Sequence, residues 1–375
     1  MLAKERCAKL YQLIFLIILI CSCTNKSHIK SSEVNVQVTP SDPLVQPDFD
    51  NSLRLKYTTG IRAILEDSKG NFWFGSHQEG VCKFDGEKFT YFTKEDGLSH
   101  NQVRTIMEDS KGTIWFECGQ GISSYDGQNI TTLFFKDYTL KDNWKKGDHD
   151  LWFKGDEESG FNDLEGAFGV YRYDGISFTY LRFPLTARIG ERFYYAVSTP
   201  AVKGRSGNVW FGTYGAVFGF DGTSFATITD ETLWHNEETG YLHVRSLFED
   251  SKGNLWIGNN GIGVLLNDGN TTINFSERQG LVSESSTHNG GMSPPGTLEH
   301  VFSIGEDNVG NMWFGDRDTG AWKFDGETMK NYTMKDGSTV PHIWQIYKDK
   351  KEELWFALAD GSVCKFNGES FDVIF

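Results

Sequence analysis

A chain of 375 residues with 14% aromatics and 41 glycines is long enough for two or three ordinary domains. Its formal charge of −15 argues against a nucleic-acid partner and against electrostatic docking on anionic lipid. An acidic surface also suits cationic or neutral ligands better than polyanions. The first 22 residues carry three bases and one acid, so the remainder stands near −17.

The chain opens like a secretion signal. Lys4, Arg6 and Lys9 precede the apolar run LIFLIILI, which is shorter than the ~20 residues a membrane span requires. The run closes on Ile20-Cys21-Ser22-Cys23, which resembles the bacterial lipobox. That resemblance implies cleavage before Cys23 and diacylation of its thiol, a membrane attachment through lipid alone. An ordinary cleaved signal peptide is the alternative. Residues 23–50 are polar, carry Pro40, Pro43 and Pro47, and keep no period, so they read as a flexible tether. Thr24 is not the aspartate that retains lipoproteins at the inner membrane, and an acidic surface-export patch is missing. The expected location is the outer membrane, facing the periplasm.

From residue 51 to 375 one unit recurs, most legibly in IRAILEDSKGNFWFGSHQEGVCKFDGEKFTYF at 61–92. Its anchors are Trp73, Trp115, Trp152, Trp210, Trp256, Trp313 and Trp355. A D-G or N-G pair follows each Trp by 11 or 12 residues in six copies and by 22 in the third. Each copy parses as four short strands; in the second these are VRTIMED, TIWFEC, ISSYD and NITTLF. The D-S-K-G between the first two strands and the D-G between the last two are tight-turn chemistry. Four-stranded antiparallel units at a period in the forties pack around an axis, so seven anchors predict an all-β, seven-bladed propeller. The repeated Trp is then a wedge between blades, and the recurring E-D-S-K-G is turn scaffold.

Cys82, Cys118 and Cys364 lie in the repeats without paired spacing, and read as buried structural thiols rather than disulfides or metal ligands. Cys82 and Cys364 both lie nine residues after their Trp, so in a rotational array they face the same way round and do not meet. No phosphate-binding or dinucleotide fingerprint, nucleophile elbow or zinc-helix motif is present.

The consensus "apolar-x-x-apolar, E-D-x-x-G-N, apolar-W-apolar-G, then G-apolar-x-x-apolar-D-G" resembles the two-component-regulator propeller repeat. The resemblance covers residues 60–375 and is clearest in the first, second, fifth and sixth copies. Many propellers of that family form the periplasmic sensing half of hybrid histidine kinases and respond to glycan fragments. The resemblance therefore implies a ligand-binding scaffold, here in a stand-alone lipoprotein form without a kinase. The sialidase Asp-box is a weaker likeness, because Ser68 stands two before Gly70 where that motif has Asp.

A feature present in every blade holds the fold, whereas a feature confined to one is free for function. In an up-and-down blade the turns after strands two and four lie on one face. The long insertions all fall there: Tyr138–Asp150, Lys154–Gly169, Phe183–Tyr195, Asp230–Tyr241 and Ser276–Glu299. They carry Trp144, Phe161, Phe168, Tyr194, Tyr195, Trp234 and Tyr241 among Asp156, Glu157, Glu158, Asp163 and Glu165. Aromatic platforms beside polar groups suit sugar rings or a protein partner; simple packing of the loops onto the scaffold is the other reading.

His243, His300 and His342 each stand 13 residues before their Trp, where blade 2 has Gln102 and blade 1 has Gly60. They are expected on one arc of the axial channel mouth, beside His77, Gln78, Gln120, Tyr214, Asn260, Asp316, Arg317 and Asp360 from neighbouring turns. Three imidazoles there suit a ligand's hydroxyls, an anion or a metal, or supply acid–base groups; tolerant strand-entry residues are the plain alternative. The preferred ligand-contact set is His243, His300, His342, His77, Tyr214, Arg317, Trp234 and Trp144, with no catalytic residue, metal or cofactor assigned. The sequence favours a non-catalytic envelope propeller that binds glycan fragments or another envelope protein. A polysaccharide lyase or hydrolase using the histidines, and an assembly factor, stand as alternatives.

Overall fold

Each of the seven Trp-anchored repeats forms one antiparallel sheet in a computed structural model of the chain. The structure describes residues 37–40, 49–50, 54–134, 143–154, 168–184, 195–283, 291–332 and 342–375. The signal, Cys23 and most of the tether lie outside these residues, as do Phe161, Tyr194 and the acidic run Asp156 to Glu165. Residues 35–375 form a single compact unit.

The first strand of each complete repeat lies innermost: Ile61–Glu66, Val103–Glu108, Val202–Lys203, Val244–Glu249, Val301–Glu306 and Ile343–Lys348. The inner strands of blades 1 and 2, 5 and 6, 6 and 7, and 7 and 1 contact one another. Blade 3 departs from the four-strand expectation. Among the described residues it has only Leu151–Phe153, Gly169–Tyr173 and Phe178–Arg182, with Trp152 on the first of these. Two short segments, Phe49–Asp50 and Gln37–Pro40, add a fifth strand to the outer edges of blades 1 and 2. Residues 54–57, which lead into the first inner strand, make no strand.

The repeated tryptophans wedge between blades as their periodicity predicts. Trp73 is 1% exposed and meets Phe116 and Tyr125 of blade 2 at ring-centroid distances of 5.6 and 5.5 Å. Trp313 likewise meets Phe366 of blade 7 at 4.7 Å, and Trp355 meets Phe72 of blade 1 at 4.5 Å. The E-D-x-x-G-N turn explains itself around one carboxylate. Asp67 accepts from the backbone N–H groups of Lys69 and Asn71, and from Trp73 Nε1 at 2.9 Å. Asp109, Asp250, Asp307 and Asp349 hold their tryptophans in the same way. The preceding glutamate ties blades together: Glu108 accepts from Ser68 N, Glu306 from Ser251 N, and Glu66 from Lys350 N.

That last bond belongs to the ring closure between blades 7 and 1. Ile64 N donates to the Gln345 side chain at 2.5 Å and Glu66 N to Tyr347 Oη at 2.8 Å. Phe375 packs against Phe74, Phe84 and Phe89 of blade 1. All four strands of blade 7 come from residues 343–373, so side chains rather than a shared strand join the ends. Cys82, Cys118 and Cys364 are buried and unbridged. No described helix is long and apolar enough to cross a membrane.

Candidate functional site

The inner strands carry a regular irregularity. In blades 1, 2, 5, 6 and 7 the register against the second strand shifts by one residue near the strand's start, between Ile61 and Ala63, Val103 and Thr105, Val244 and Ser246, Val301 and Ser303, and Ile343 and Gln345. A β-bulge re-aims the extra residue and leaves its neighbours in the ladder. The residue before the bulge is apolar and fully buried between blades in all five (Ile61, Val103, Val244, Val301 and Ile343). The bulged residues are Arg62, Arg104, Arg245, Phe302 and Trp344, and all five line an axial cavity of about 250 Å³. Glu117, Lys154, Ser198, Thr199 and Gln345 complete much of its polar wall.

The residues singled out from the sequence stand one level above this ring. The first residue of the turn after each second strand donates its N–H to the strand-entry carbonyl. These bonds run from His77 to Gly60, Gly119 to Gln102, Tyr214 to Ala196, Asn260 to His243, Arg317 to His300 and Ala359 to His342. His77, Tyr214 and Arg317 are therefore equivalent positions of the repeat, each hung directly over an inner-strand start.

Side chains join the two levels into a belt. His77 Nδ1 lies 3.4 Å from both Arg62 and Gln102, and Arg104 Nε donates to Gln102 at 2.6 Å. The Arg62 guanidinium sits 4.3 Å over Trp344, which also stacks on the His342 ring at 3.9 Å and meets His77 and Phe302 at 5.9 and 5.7 Å. Phe302 meets His342 edge-on at 4.4 Å. Arg245 lies between Phe302 and Tyr214, 5.1 and 5.0 Å from their centroids, and Tyr214 meets His243 at 5.1 Å. The belt thus passes through blades 2, 1, 7, 6, 5 and 4.

Four buried nitrogens in and behind this belt have no hydrogen-bond partner in the protein: His243 Nε2, His300 Nε2, His342 Nε2 and Arg245 Nε. Buried polar atoms are normally satisfied, so a cluster of exceptions marks a place where something else binds. Burial, with Arg245 and Arg62 nearby, pushes His243 down to about 4 and His342 down to about 3. Burial beside Arg317 pushes His300 to about 4. All three rings are neutral near pH 7, each offering one donor and one acceptor.

The trio does not converge. His300 is buried, with Nδ1 2.7 Å from Ser293 Oγ and 3.6 Å from Asp318, while its backbone N–H donates to Asp316. Among the described residues no three His, Cys, Asp or Glu side chains are grouped to hold a metal. Ser293 and Asp318 both face Nδ1, and Nε2 has no orienting carboxylate, so the group is not a nucleophile relay. Arg317 turns away to Asp318, Asn260 and the Gly291 carbonyl.

The decorated face is less aromatic than its insertions suggest. Trp144 donates Nε1 to the Arg182 carbonyl at 2.6 Å and stacks on Trp152 at 5.8 Å. With Phe168 and Tyr195 it is packed against the core between blades 3 and 4. Its ring is committed to packing and stands apart from the axial belt. Trp234 is the opposite case: 87% exposed, it caps the short helix Asp230–Leu233 in a left-handed conformation.

The cavity also reverses the sign of the molecule. Burial, with Arg104 and Arg245 close by, lowers Arg62 only to about 10, so it stays charged. Lys154 and Glu117 lie 4.0 Å apart; burial lowers the lysine to about 7 and raises the glutamate. This pair is neutral overall whether or not the proton passes between them. Three guanidinium groups, Arg62, Arg104 and Arg245, thus line the axial cavity of a chain whose formal charge is −15.

The family model described as "Two component regulator propeller" matches residues 58–78, 97–116 and 240–261. A comparison with curated protein sequences finds no match. Among solved structures, the extracellular domain of a putative hybrid two component system from B. thetaiotaomicron is 19% identical with a TM-score of 0.58. That alignment covers 86% of this chain but 41% of that one, so the chain spans about two fifths of the domain it matches. Virginiamycin B lyase from Staphylococcus aureus is 15% identical, with a TM-score of 0.56 over 89% of this chain and 99% of the lyase. At these identities the likeness is one of fold. The repeats are more specific: the chain is a seven-bladed β-propeller, and its first, second and fifth repeats match the two-component-regulator propeller model.

Proposed function

We propose that this propeller is a non-catalytic binding protein of the bacterial envelope, held at the outer membrane through lipid on Cys23, and that it takes a carbohydrate fragment at the axial mouth. The observation that carries the reading is the belt itself. Phe302 and Trp344 bring apolar ring surface to the cavity wall, beside imidazole nitrogens that lack partners within the protein. A cavity of about 250 Å³ lies just under the range of ligand clefts, ~300–1,000 Å³. It has room for one sugar-sized ring at the end of a fragment rather than for a polymer threaded through.

The test is a glycan array followed by calorimetric titration of any hit. Wild-type protein should bind a restricted set of glycans. Trp344→Ala and His342→Ala should lose that binding, while Trp234→Ala keeps it. Failure of every glycan sinks the carbohydrate reading and favours an envelope protein as partner. Turnover of a hit by wild type, lost in His342→Ala, would replace the binding reading with a lyase or hydrolase.

A further inference from the structure

We infer that the axial cavity is an oxyanion site, and that the ligand presents a carboxylate or sulfate on its sugar ring. This deepens the reading above and rests on it for the sugar, although the anion follows from the cavity alone. Three arginines enter one cavity from the bulges of blades 1, 2 and 5. Arg62 is within electrostatic reach of both Arg104 and Arg245, so like charges are held together away from water. Among the described residues Glu117 is the one carboxylate on the cavity wall, and Lys154 lies 4.0 Å from it. Arg62 bonds to His77 and stacks on Trp344, and Arg245 stacks between Tyr214 and Phe302; neither meets a carboxylate among the described residues.

Stacking fixes what these guanidinium groups offer. A ring over the face of an arginine leaves its in-plane N–H fork available, and that fork matches a carboxylate or sulfate edge. Arg245 Nε, buried without a partner, is part of such a fork. Phe302 and Trp344 line the same cavity and supply apolar surface beside the arginines, so charge and apolar contact recognise two parts of one small molecule.

The acidic exterior sharpens the selection. A long polyanion is repelled by a chain of charge −15, whereas a short fragment with a single acidic end reaches the cationic axis at little electrostatic cost. The ligand class is therefore a uronate- or sulfate-terminated oligosaccharide fragment, rather than nucleic acid or an intact acidic polymer.

Calorimetric titration of the purified protein with three probes tests this: a glucuronate-terminated disaccharide, its neutral glucose counterpart, and inorganic sulfate. The acidic disaccharide should bind roughly tenfold or more tightly than the neutral one, and Arg62→Gln and Arg245→Gln should each remove about that factor. Both variants should melt no lower than wild type, because each relieves repulsion between like charges. If Arg245→Gln fails to fold, Arg62→Gln and the wild-type comparison of acidic with neutral sugar decide the matter. Equal binding of both sugars, unaffected by the substitutions, overturns the anion site and leaves the carbohydrate reading standing. Arginine-dependent binding of sulfate without either sugar keeps the anion site and overturns the carbohydrate reading. No binding of any probe overturns both.

Discussion

At the axis, single residues are tuned by burial more than by their neighbours' charges, and His342 shows the consequence. In the unfolded chain its imidazole titrates near the ordinary ~6.5, whereas burial beside Arg62 holds it at about 3 when folded. Above pH 6.5 both states carry a neutral ring. Below it the unfolded chain takes up a proton that the folded one refuses, so this contribution to stability is lost as pH falls towards 3. Asp316 works in the opposite sense. Burial raises it to about 6, so between pH 6 and the ordinary carboxylate range only the folded chain keeps that proton. The two effects overlap in wild type, and a variant separates them. The urea midpoint of His342→Gln should fall less between pH 7 and 4.5 than that of wild type; parallel curves would contradict the assignment.

The histidines were legible because each stands at a fixed offset from its Trp, and that offset alone placed them at strand entry. The arginines were equally available to counting. Arg62, Arg104, Arg245, Phe302 and Trp344 all stand 11 residues before their Trp. They were missed because arginine on a short strand reads as a solvated face. Only the bulge, which no residue type announces, turns that position to the axis. Trp144 shows the converse, since a loop's position does not say whether its ring packs against the core, as this one does.

At the scale of the element, a carboxylate grips the indole nitrogen within its own blade in five of the repeats, and blade 4 shows how much latitude this has. Where five blades have Asp six residues before the Trp, blade 4 has Gly204. Its Trp210 instead donates to Glu249 of blade 5 at 2.7 Å, and Glu249 also accepts from Ser206 N at 2.7 Å. A Cβ on Gly204 would lie 2.0 Å from Glu249 Oε2, so the glycine leaves the space that the neighbouring blade's carboxylate fills. Glu249→Ala should cost about 1–3 kcal/mol by stranding the buried indole N–H. Gly204→Asp alone should also destabilise, by clash and like charge. The double variant restores the arrangement of the other blades and should recover much of the loss. Urea denaturation of the four proteins tests this, and additive losses would refute it. Blade 3 has Lys146 at that position, and its Trp152 Nε1 is buried without a partner. The repeat period shows that a blade exists there, yet not that among the described residues it has three strands.

At the scale of the whole molecule, seven sheets close around an axis by packing blade 7 against blade 1. The closure gathers one bulged residue from each of five blades into a single small cavity. No single repeat contains this site, and net charge conceals it, because a chain of −15 turns three guanidinium groups inwards. The composition suggested cationic or neutral ligands; the axis favours an anionic one. The most direct measurement is a crystal structure of the protein grown with an acidic disaccharide. The account predicts the carboxylate within about 3 Å of the Arg62 and Arg245 forks, with the sugar ring against Trp344 or Phe302 and a hydroxyl at an imidazole Nε2. A ligand seated among the outer loops around Trp234, with no sugar in the axial cavity, would contradict it.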